Sequence, residues 1–254
     1  MTAAALHNQI DQAAGILREA RRPVAFTGAG ISADSGIPTY RGAGGLWTKY
    51  DPDKYANINY FNKDPAYYWR FFRDVRYPAL AAAHPNTAHG ALADLERTGR
   101  LGAVITQNID GLHQEAGSER VLELHGNTRR FLCGRCAAVW GLGVVWERLT
   151  SALPPTCPDC GGGLRPDVVL FGEMLPEAVL RQAVEAARSA DVMLVVGSSL
   201  VVQPAAGLPV LTLEHGGQVI IVNVGETPLD GVAAVKMDAG ATDVIPRLAE
   251  LIGV

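Results

Sequence analysis

The stretch Val24-Ala25-Phe26-Thr27-Gly28-Ala29-Gly30 constrains this chain more than any other, because a short apolar run passes directly into a glycine turn. A run of that length without polar alternation predicts a strand buried on both faces. The turn matches G-x-G-x-x-A through Ala33. Glycines at 28 and 30 permit a tight bend and a close backbone approach, and a helix N-terminus behind them can face a pyrophosphate. A glycine turn that binds nothing is the plain alternative, since one such match alone is weak.

The same rhythm recurs along the chain. Ile10, Ala13, Ala14 and Leu17 stand at helical spacing, and Arg21-Arg22-Pro23 closes that helix. Thr87 is the expected cap of a second helix, with Ala88, Leu92 and Leu95 on one face and Gly99 at its end; Ala103-Val104-Ile105 then reads as a strand. Pro176-Glu177 opens another helix before the strand Val192–Val196, and Pro204 opens one before Val219–Val222. Ile245, Leu248, Leu251 and Ile252 mark a closing helix. The alternation predicts an α/β fold, a Rossmann-like parallel sheet with helices on both faces.

Two segments break the rhythm. Residues 46–84 are aromatic-rich without strand–helix alternation, and residues 129–164 hold all four cysteines. Both are expected as insertions that form one smaller domain, a helical module plus a zinc ribbon. Residues 1–45, 85–128 and 165–254 then make up a discontinuous dinucleotide-binding domain. The cysteines occur as Cys133-x2-Cys136 and Cys157-x2-Cys160, with 20 residues between the pairs. Two tight knuckles of that spacing supply four thiolates tetrahedrally, which closes the site and makes its zinc structural. Buried free thiols or a redox pair are the alternatives.

Composition narrows the function classes. With 48% hydrophobic and 19% charged residues over 254 positions, the chain can bury a core and does not read as disordered. A net charge of −4 speaks against general nucleic-acid affinity. The first fifteen residues lack a signal peptide's basic start and long apolar core, and no apolar run reaches membrane-spanning length. The expected location is the cytoplasm, with no membrane contact.

A dehydrogenase would place an acidic residue about 20 positions after the glycine turn. Here Pro38-Thr39-Tyr40-Arg41-Gly42 and further glycines intervene, so that reading fails. Gly197-Ser198-Ser199 and Asn223, at the carboxyl ends of later strands, are the natural places for the dinucleotide's other half. Asn223 reads equally as a ribose ligand or as a turn asparagine. After the strand ending at Ile105 comes Thr106-Gln107-Asn108-Ile109-Asp110, where ligands of open α/β sheets sit. Asn108 and Asp110 together offer a donor and an acceptor to a carboxamide. Of the six histidines, His125, between Leu124 and Gly126, is the better candidate general base. His113 suits packing or an internal hydrogen bond, and His7, His84, His89 and His215 carry no assigned role.

Taken together these motifs resemble the sirtuin family, in its bacterial or archaeal type. The resemblance rests on Gly28-Ala29-Gly30-Ile31-Ser32, Gly36-Ile37-Pro38, Tyr40-Arg41-Gly42, Gln107-Asn108-Ile109-Asp110 and His125-Gly126-Asn127. It continues through the cysteine pairs, Val168-Val169-Leu170-Phe171-Gly172-Glu173, Gly197-Ser198-Ser199 and Ile221-Val222-Asn223, in order over roughly residues 20 to 250. The resemblance implies an enzyme that cleaves NAD while removing an acyl group, most simply acetyl, from a protein lysine, giving nicotinamide, O-acyl-ADP-ribose and free lysine. It implies that Ala29, Ala33, Tyr40 and Arg41 line the NAD loop and that Gln107 meets the nicotinamide ribose. Asn108 and Asp110 would hold nicotinamide with Ile109 beside it, Asn108 taking part in catalysis with His125 as the base. Ser198, Ser199, Asn223 and Val244 would hold the adenosine half. Val169 and Phe171 would line the acyl-lysine tunnel, and the peptide would add as a strand between Gly172-Glu173 and Val201-Val202. The glycine-rich loop Gly42–Gly45 would cover the site.

Two departures stand out: Tyr40 replaces the family's usual phenylalanine, and Met174 replaces a common polar residue. Sirtuins that take acidic acyl groups resemble one another in a Tyr-x-x-Arg pair. Counting back from Pro85-Asn86 puts Phe71 and Asp74 at those positions, which favours uncharged acyl groups, while a small shift of register brings Arg73 or Arg76 into play, either of which binds an acid. A mono-ADP-ribosyltransferase, a deacylase for acidic acyl groups and a zinc-ribbon interaction protein are the competing readings, and a monomer is the expected assembly.

Overall fold

A computed structural model describes residues 2–41 and 44–254 of the chain. Gly42 and Ala43, and with them half of the expected covering loop, lie outside the described residues.

The chain begins with α1 (Ala3–Glu19), whose Thr2 side chain caps it, and β1 (Pro23–Thr27) follows. A seven-residue 3-10 segment, Ala29–Ser35, comes next. The glycine turn therefore leads into a 3-10 turn where the sequence pattern suggests an α-helix. The segment stops at Gly36, whose φ of 84° suits only glycine without strain.

The aromatic stretch forms four short helices: α2 (Pro52–Tyr55), α3 (Ile58–Lys63), α4 (Pro65–Phe71) and α5 (Tyr77–Ala82). One π-helical stretch, Phe72–Arg76, joins the last two. Then come α6 (Thr87–Arg97), β2 (Val104–Thr106), α7 (Leu112–Glu115) and β3 (Val121–Glu123). Asn86, not Thr87, caps α6: its amide oxygen accepts from the Ala88 and His89 N–H groups, and His89 Nδ1 meets the Asn86 backbone in return.

The cysteine region contributes β4 (Gly126–Cys133), β5 (Val139–Gly141), α8 (Leu142–Leu149) and β6 (Leu164–Val168). The remaining elements are α9 (Glu177–Ser189), β7 (Val192–Val196), α10 (Leu208–Glu214), β8 (Gln218–Val222), β9 (Val235–Met237) and α11 (Ala241–Ile252). Pro204 opens only a 3-10 turn, and α10 starts four residues later with Pro209 in its first turn.

Six strands form one parallel sheet in the order β3-β2-β1-β7-β8-β9. Its apolar runs are continuous because both faces are covered. On β7, Val192, Leu194 and Val196 face one core with α1, α6 and α11, while Met193 and Val195 face another with α9 and α10. The order reverses between β1 and β7, and a ligand crevice forms at the carboxyl ends of such a pair. There the two turns touch: Gly30 donates to the Gly197 carbonyl at 2.8 Å. A Cβ on Gly30 would come within 2.7 Å of the Gly197 Cα, and one on Gly197 within 2.3 Å of the Ile31 nitrogen. These glycines thus serve backbone packing beside any ligand.

The second sheet is antiparallel, in the order β5-β4-β6. It shares a third core with the short helices, in which fully buried Trp69 and Phe72 each lie 5.7 Å from the Phe131 ring. Short knuckles with little apolar surface of their own gain a core by this sharing.

Candidate functional site

A cleft of about 850 Å³ opens where β1 and β7 end and runs toward the second sheet. That is the upper part of the range for ligand pockets, large enough for a dinucleotide and an extended side chain. A recess of about 40 Å³ adjoins it, lined among others by Ala29, Tyr40, Asn108, Ile109 and Asp110.

The glycine turn supplies Gly28, Ala29, Gly30 and Ala33 to the cleft wall, and the loop beyond it supplies Tyr40 and Arg41. Gly197, Ser198 and Ser199, in the turn that touches the glycine turn, also line the cleft, with Asn223. Ser198 is buried and accepts a 2.9 Å hydrogen bond from Gln107 Nε2, while Ser199 is exposed. The Asn223 amide donates to the carbonyls of Val224 and Gly225, so its turn role is present, and it also faces the cleft. Lys236 Nζ braces the same loop through the carbonyls of Asn223 and Gly225.

Val244 does not reach the wall. Its side chain is fully buried against the sheet with Ile245 and Leu248, and Ala239, Gly240 and Ala241 line the cleft there instead. The helical period of α11 explains this, since the apolar face carrying Val244 must turn inward.

Asn108 and Asp110 are held by their neighbours. Asn108 Nδ2 donates to the Gly28 carbonyl at 3.1 Å and to Ser32 Oγ at 3.2 Å. The Asp110 carboxylate accepts from Ser32 Oγ at 2.8 Å and from the Leu112 N–H at 3.0 Å. Both amide protons of Asn108 are thereby used, which leaves its Oδ1 and the Asp110 carboxylate as acceptors. The donor a carboxamide oxygen needs must come from elsewhere, and the Ile109 backbone N–H has no acceptor among the described residues. The side-chain pair does not supply both complements, as the residue types alone suggested.

Behind this cluster lies a buried polar layer. His89 Nε2 lies 3.4 Å from Ser32 Oγ, one hydrogen bond behind Asp110, and its ring meets His113 edge-on at 4.9 Å. Residue type gave His89 no role; the Asn86 cap three residues earlier was the available signal. Thr27 Oγ1 bonds both Thr106 Oγ1 and His113 Nε2, at 2.8 and 2.9 Å. Burial, aided by the neighbouring His89, pushes the His113 pKa down to about 3. An unfolded histidine takes its proton near pH 6.5, whereas folded His113 stays neutral until about pH 3. Stability is therefore full above about pH 6.5 and falls as pH drops through that window. Lowering pH from 7 to 5 should cost about 2 kcal/mol through this group. Urea unfolding of parent and His113→Gln protein at both values should show that much less acid sensitivity in the variant; equal losses would refute the assignment.

His125 sits between β3 and β4, with its Nδ1 2.9 Å from the Gln107 carbonyl oxygen. A carbonyl only accepts, so Nδ1 carries the proton and Nε2 keeps its lone pair. The residue lines the cleft. Burial lowers its pKa, and the Gln107 bond only partly offsets this, so the ring is neutral at pH 7.

Val169, Phe171, Gly172 and Glu173 line the far part of the cleft. This segment is pinned on both sides: Val169 N–H donates to the His125 carbonyl and Phe171 N–H to that of Ala56. Gly172 has φ 91°, and a Cβ there would lie 3.2 Å from Ile58 Cγ2. Burial opposes ionisation of Glu173, yet Arg165, bidentate at 2.9 Å, and the Leu170 N–H hold its carboxyl below the usual range. That carboxylate is thus already satisfied within the loop. Val201 is exposed and off the cleft wall, where Val202 stands in its place, and Met174 is 89% exposed on the rim.

The acyl register changes as well. Phe71 packs among Tyr50 and Tyr55, and Asp74 is exposed and paired with Arg73, so neither faces the cleft. Tyr68 and Arg76 do.

The four cysteine sulfurs lie within 4.8 Å of one another, with Cys133–Cys160 at 3.5 Å and Cys136–Cys157 at 3.8 Å. Tetrahedral Zn–S bonds of about 2.3 Å put sulfurs about 3.8 Å apart, so the set fits zinc and is far too long for disulfides. Backbone N–H groups of Arg135, Cys136 and Gly162 point at the sulfurs of Cys133 and Cys160, as thiolates require. Among the described residues no helix is long and apolar enough to cross a membrane.

Comparison with known proteins agrees with this geometry. The chain is 48% identical over 243 residues to an NAD-dependent protein deacylase of Aeropyrum pernix, covering 96% of this chain and 97% of that one. It is 47% identical over 245 residues to an NAD-dependent protein deacetylase of Sulfurisphaera tokodaii, covering 96% of each. A solved Sir2 structure with a p53 peptide and NAD+ superposes with TM-score 0.85 at 43% identity, covering 93% of this chain and 95% of that one. The model of the Sir2 family matches residues 28–204, well over half of the sequence, and the chain belongs to that family.

Proposed function

We propose that this protein removes acetyl groups from protein lysine side chains in an NAD-dependent reaction, releasing nicotinamide, O-acetyl-ADP-ribose and free lysine. The observation that carries the reading is His125: its Nδ1 is tied to Gln107, which leaves Nε2 unprotonated, and the residue lines a cleft shared by the glycine turn and the Val169–Glu173 segment. When bound, NAD supplies the ribose carbon that accepts the acyl oxygen as nicotinamide departs. His125 Nε2 takes a hydroxyl proton at neutral pH. Asn108 Oδ1 and the Asp110 carboxylate orient the leaving base in the recess, Tyr40 screens it, and Val169, Phe171 and Ile109 exclude water from the tunnel. The substrate backbone adds along Gly172-Glu173. Asn223, Ser198 and Ser199 hold the adenosine half. Four cysteines hold one structural zinc. The enzyme acts as a cytoplasmic monomer.

Mass spectrometry of an acetyl-lysine peptide incubated with the protein, with and without NAD, tests this. Acetyl loss is expected only with NAD; loss without it, or none with it, overturns the reading. Acyl groups with a distal carboxylate form the second reading, and Arg76 on the cleft wall supports it together with the Tyr68 hydroxyl, which is buried without a partner among the described residues. The apolar tunnel, and the prior claim of Tyr40 on Arg76, favour acetyl. Comparing kcat/KM on acetyl- and succinyl-lysine versions of one peptide decides, and a succinyl preference would replace the first reading.

A further inference from the structure

Tyr40 carries a hydroxyl that the family's usual phenylalanine lacks, and in this chain that hydroxyl has a partner. Arg76 Nη2 donates to Tyr40 Oη at 2.6 Å, and the guanidinium carbon lies 5.5 Å from the centre of the same ring. The two residues come from different parts of the molecule. Tyr40 belongs to the loop behind the glycine turn, and Arg76 is the last residue of the π-helical turn in the helical module. Trp47 packs the ring from another side at 5.2 Å and its N–H donates to the Tyr40 carbonyl.

Tyr40 and Arg76 are also among the few residues lining both the small recess and the large cleft, so their pair forms part of the partition between them. Arg76 makes no other hydrogen bond and no ion pair among the described residues. A half-buried guanidinium with one partner loses its only satisfied contact if that partner goes. The bond and the cation–π contact thus tie the Tyr40 ring and the Arg76 guanidinium to one another.

We propose that Arg76 is a positioning residue, holding the Tyr40 ring as a fixed screen between the nicotinamide recess and the reacting end of the cleft. The proposal rests on the deacylase reading. Its consequence lies in the partition of a common reaction. After the ribose–nicotinamide bond breaks, a base in the recess can re-form that bond, returning NAD and the acylated lysine. Alternatively the acyl group passes on to the ribose and free lysine leaves. A fixed screen suppresses the first course. A loose ring admits it.

The test measures two rates on one acetyl-lysine peptide with saturating NAD: deacetylation, and incorporation of isotopically labelled nicotinamide into NAD. Tyr40→Phe removes the hydroxyl and keeps the ring; Arg76→Met removes the cation and keeps the stem. Each should raise the ratio of exchange to deacetylation roughly tenfold, the scale of one lost hydrogen bond to a charged group. The double variant should go no further, because both changes delete the same bond. A general loss of folding lowers both rates together and leaves the ratio unchanged, so the ratio separates positioning from simple destabilisation. An unchanged ratio in either single variant, or additive effects in the double, would overturn the proposal. A parent protein that performs neither reaction would instead overturn the deacylase reading itself.

Discussion

Replacing His125 with alanine is expected to leave a folded protein that binds NAD and has lost roughly 10²- to 10⁴-fold of its peptide-dependent turnover. The loss falls on chemistry because the side chain carries little of the fold. Among the described residues its side chain makes one hydrogen bond, to the Gln107 carbonyl, and the backbone carbonyl that receives the Val169 N–H survives in alanine. The pH profile adds a second readout. Burial lowers the imidazole pKa, the Gln107 bond only partly restores it, and the neutral ring is the active form. The parental rate should thus hold through the ordinary imidazole range and fall only at more acid pH, and the variant's residual rate should lack that limb. A variant deacetylating near the parental rate would remove His125 from the mechanism.

Loss of zinc should have the largest structural effect. Structural zinc contributes an apparent ~10–16 kcal/mol in small modules of this kind. Here Cys133 and Cys157 are buried in the same core as Trp69, Phe72 and Leu149. Cys157→Ala, or extraction of the metal, should therefore unfold β4, β5 and β6 and loosen the short aromatic helices. The parallel sheet, with its two separate cores, should persist. Metal analysis should find one zinc per chain, and hydrogen exchange should show protection lost in residues 126–168 first. A zinc-free protein with full protection there would refute the assignment.

What the sequence made readable follows from periodicity and spacing. β7 and β8 were legible because buried parallel strands carry continuous apolar runs, Val192–Val196 and Val219–Val222. β3 and β9 were not, because each interrupts its three residues with a charge, Glu123 and Lys236, whereas the equally short β2 continues the apolar run Ala103-Val104-Ile105. The cysteine pairs were legible because two-residue knuckles define the geometry locally. Asn108 and Asp110 were recognisable as a polar pair at a strand end, but not that Gly28 and Ser32 use up the Asn108 amide, since those contacts span nearly 80 residues of chain. Val244 was misplaced onto the cleft because the inward face of α11 depends on how that helix packs on α1 and α6. The count put Phe71 and Asp74 at the acyl end, with Arg73 or Arg76 reached only by a small shift; the structure puts Arg76 on the cleft wall, and nothing local to the π-helical stretch Phe72–Arg76 marks which register holds. Tertiary contacts, in each case, decided what local pattern left open.

The most direct measurement is a mass balance on one reaction: nicotinamide formed, acyl group transferred and lysine freed, counted together with an acetyl-lysine peptide and NAD. The deacylase account requires one nicotinamide and one acylated ADP-ribose for every lysine released, with nothing consumed when the peptide is unmodified. NAD cleavage that proceeds on unmodified peptide, or ADP-ribose found attached to the peptide in place of acyl transfer, would contradict it.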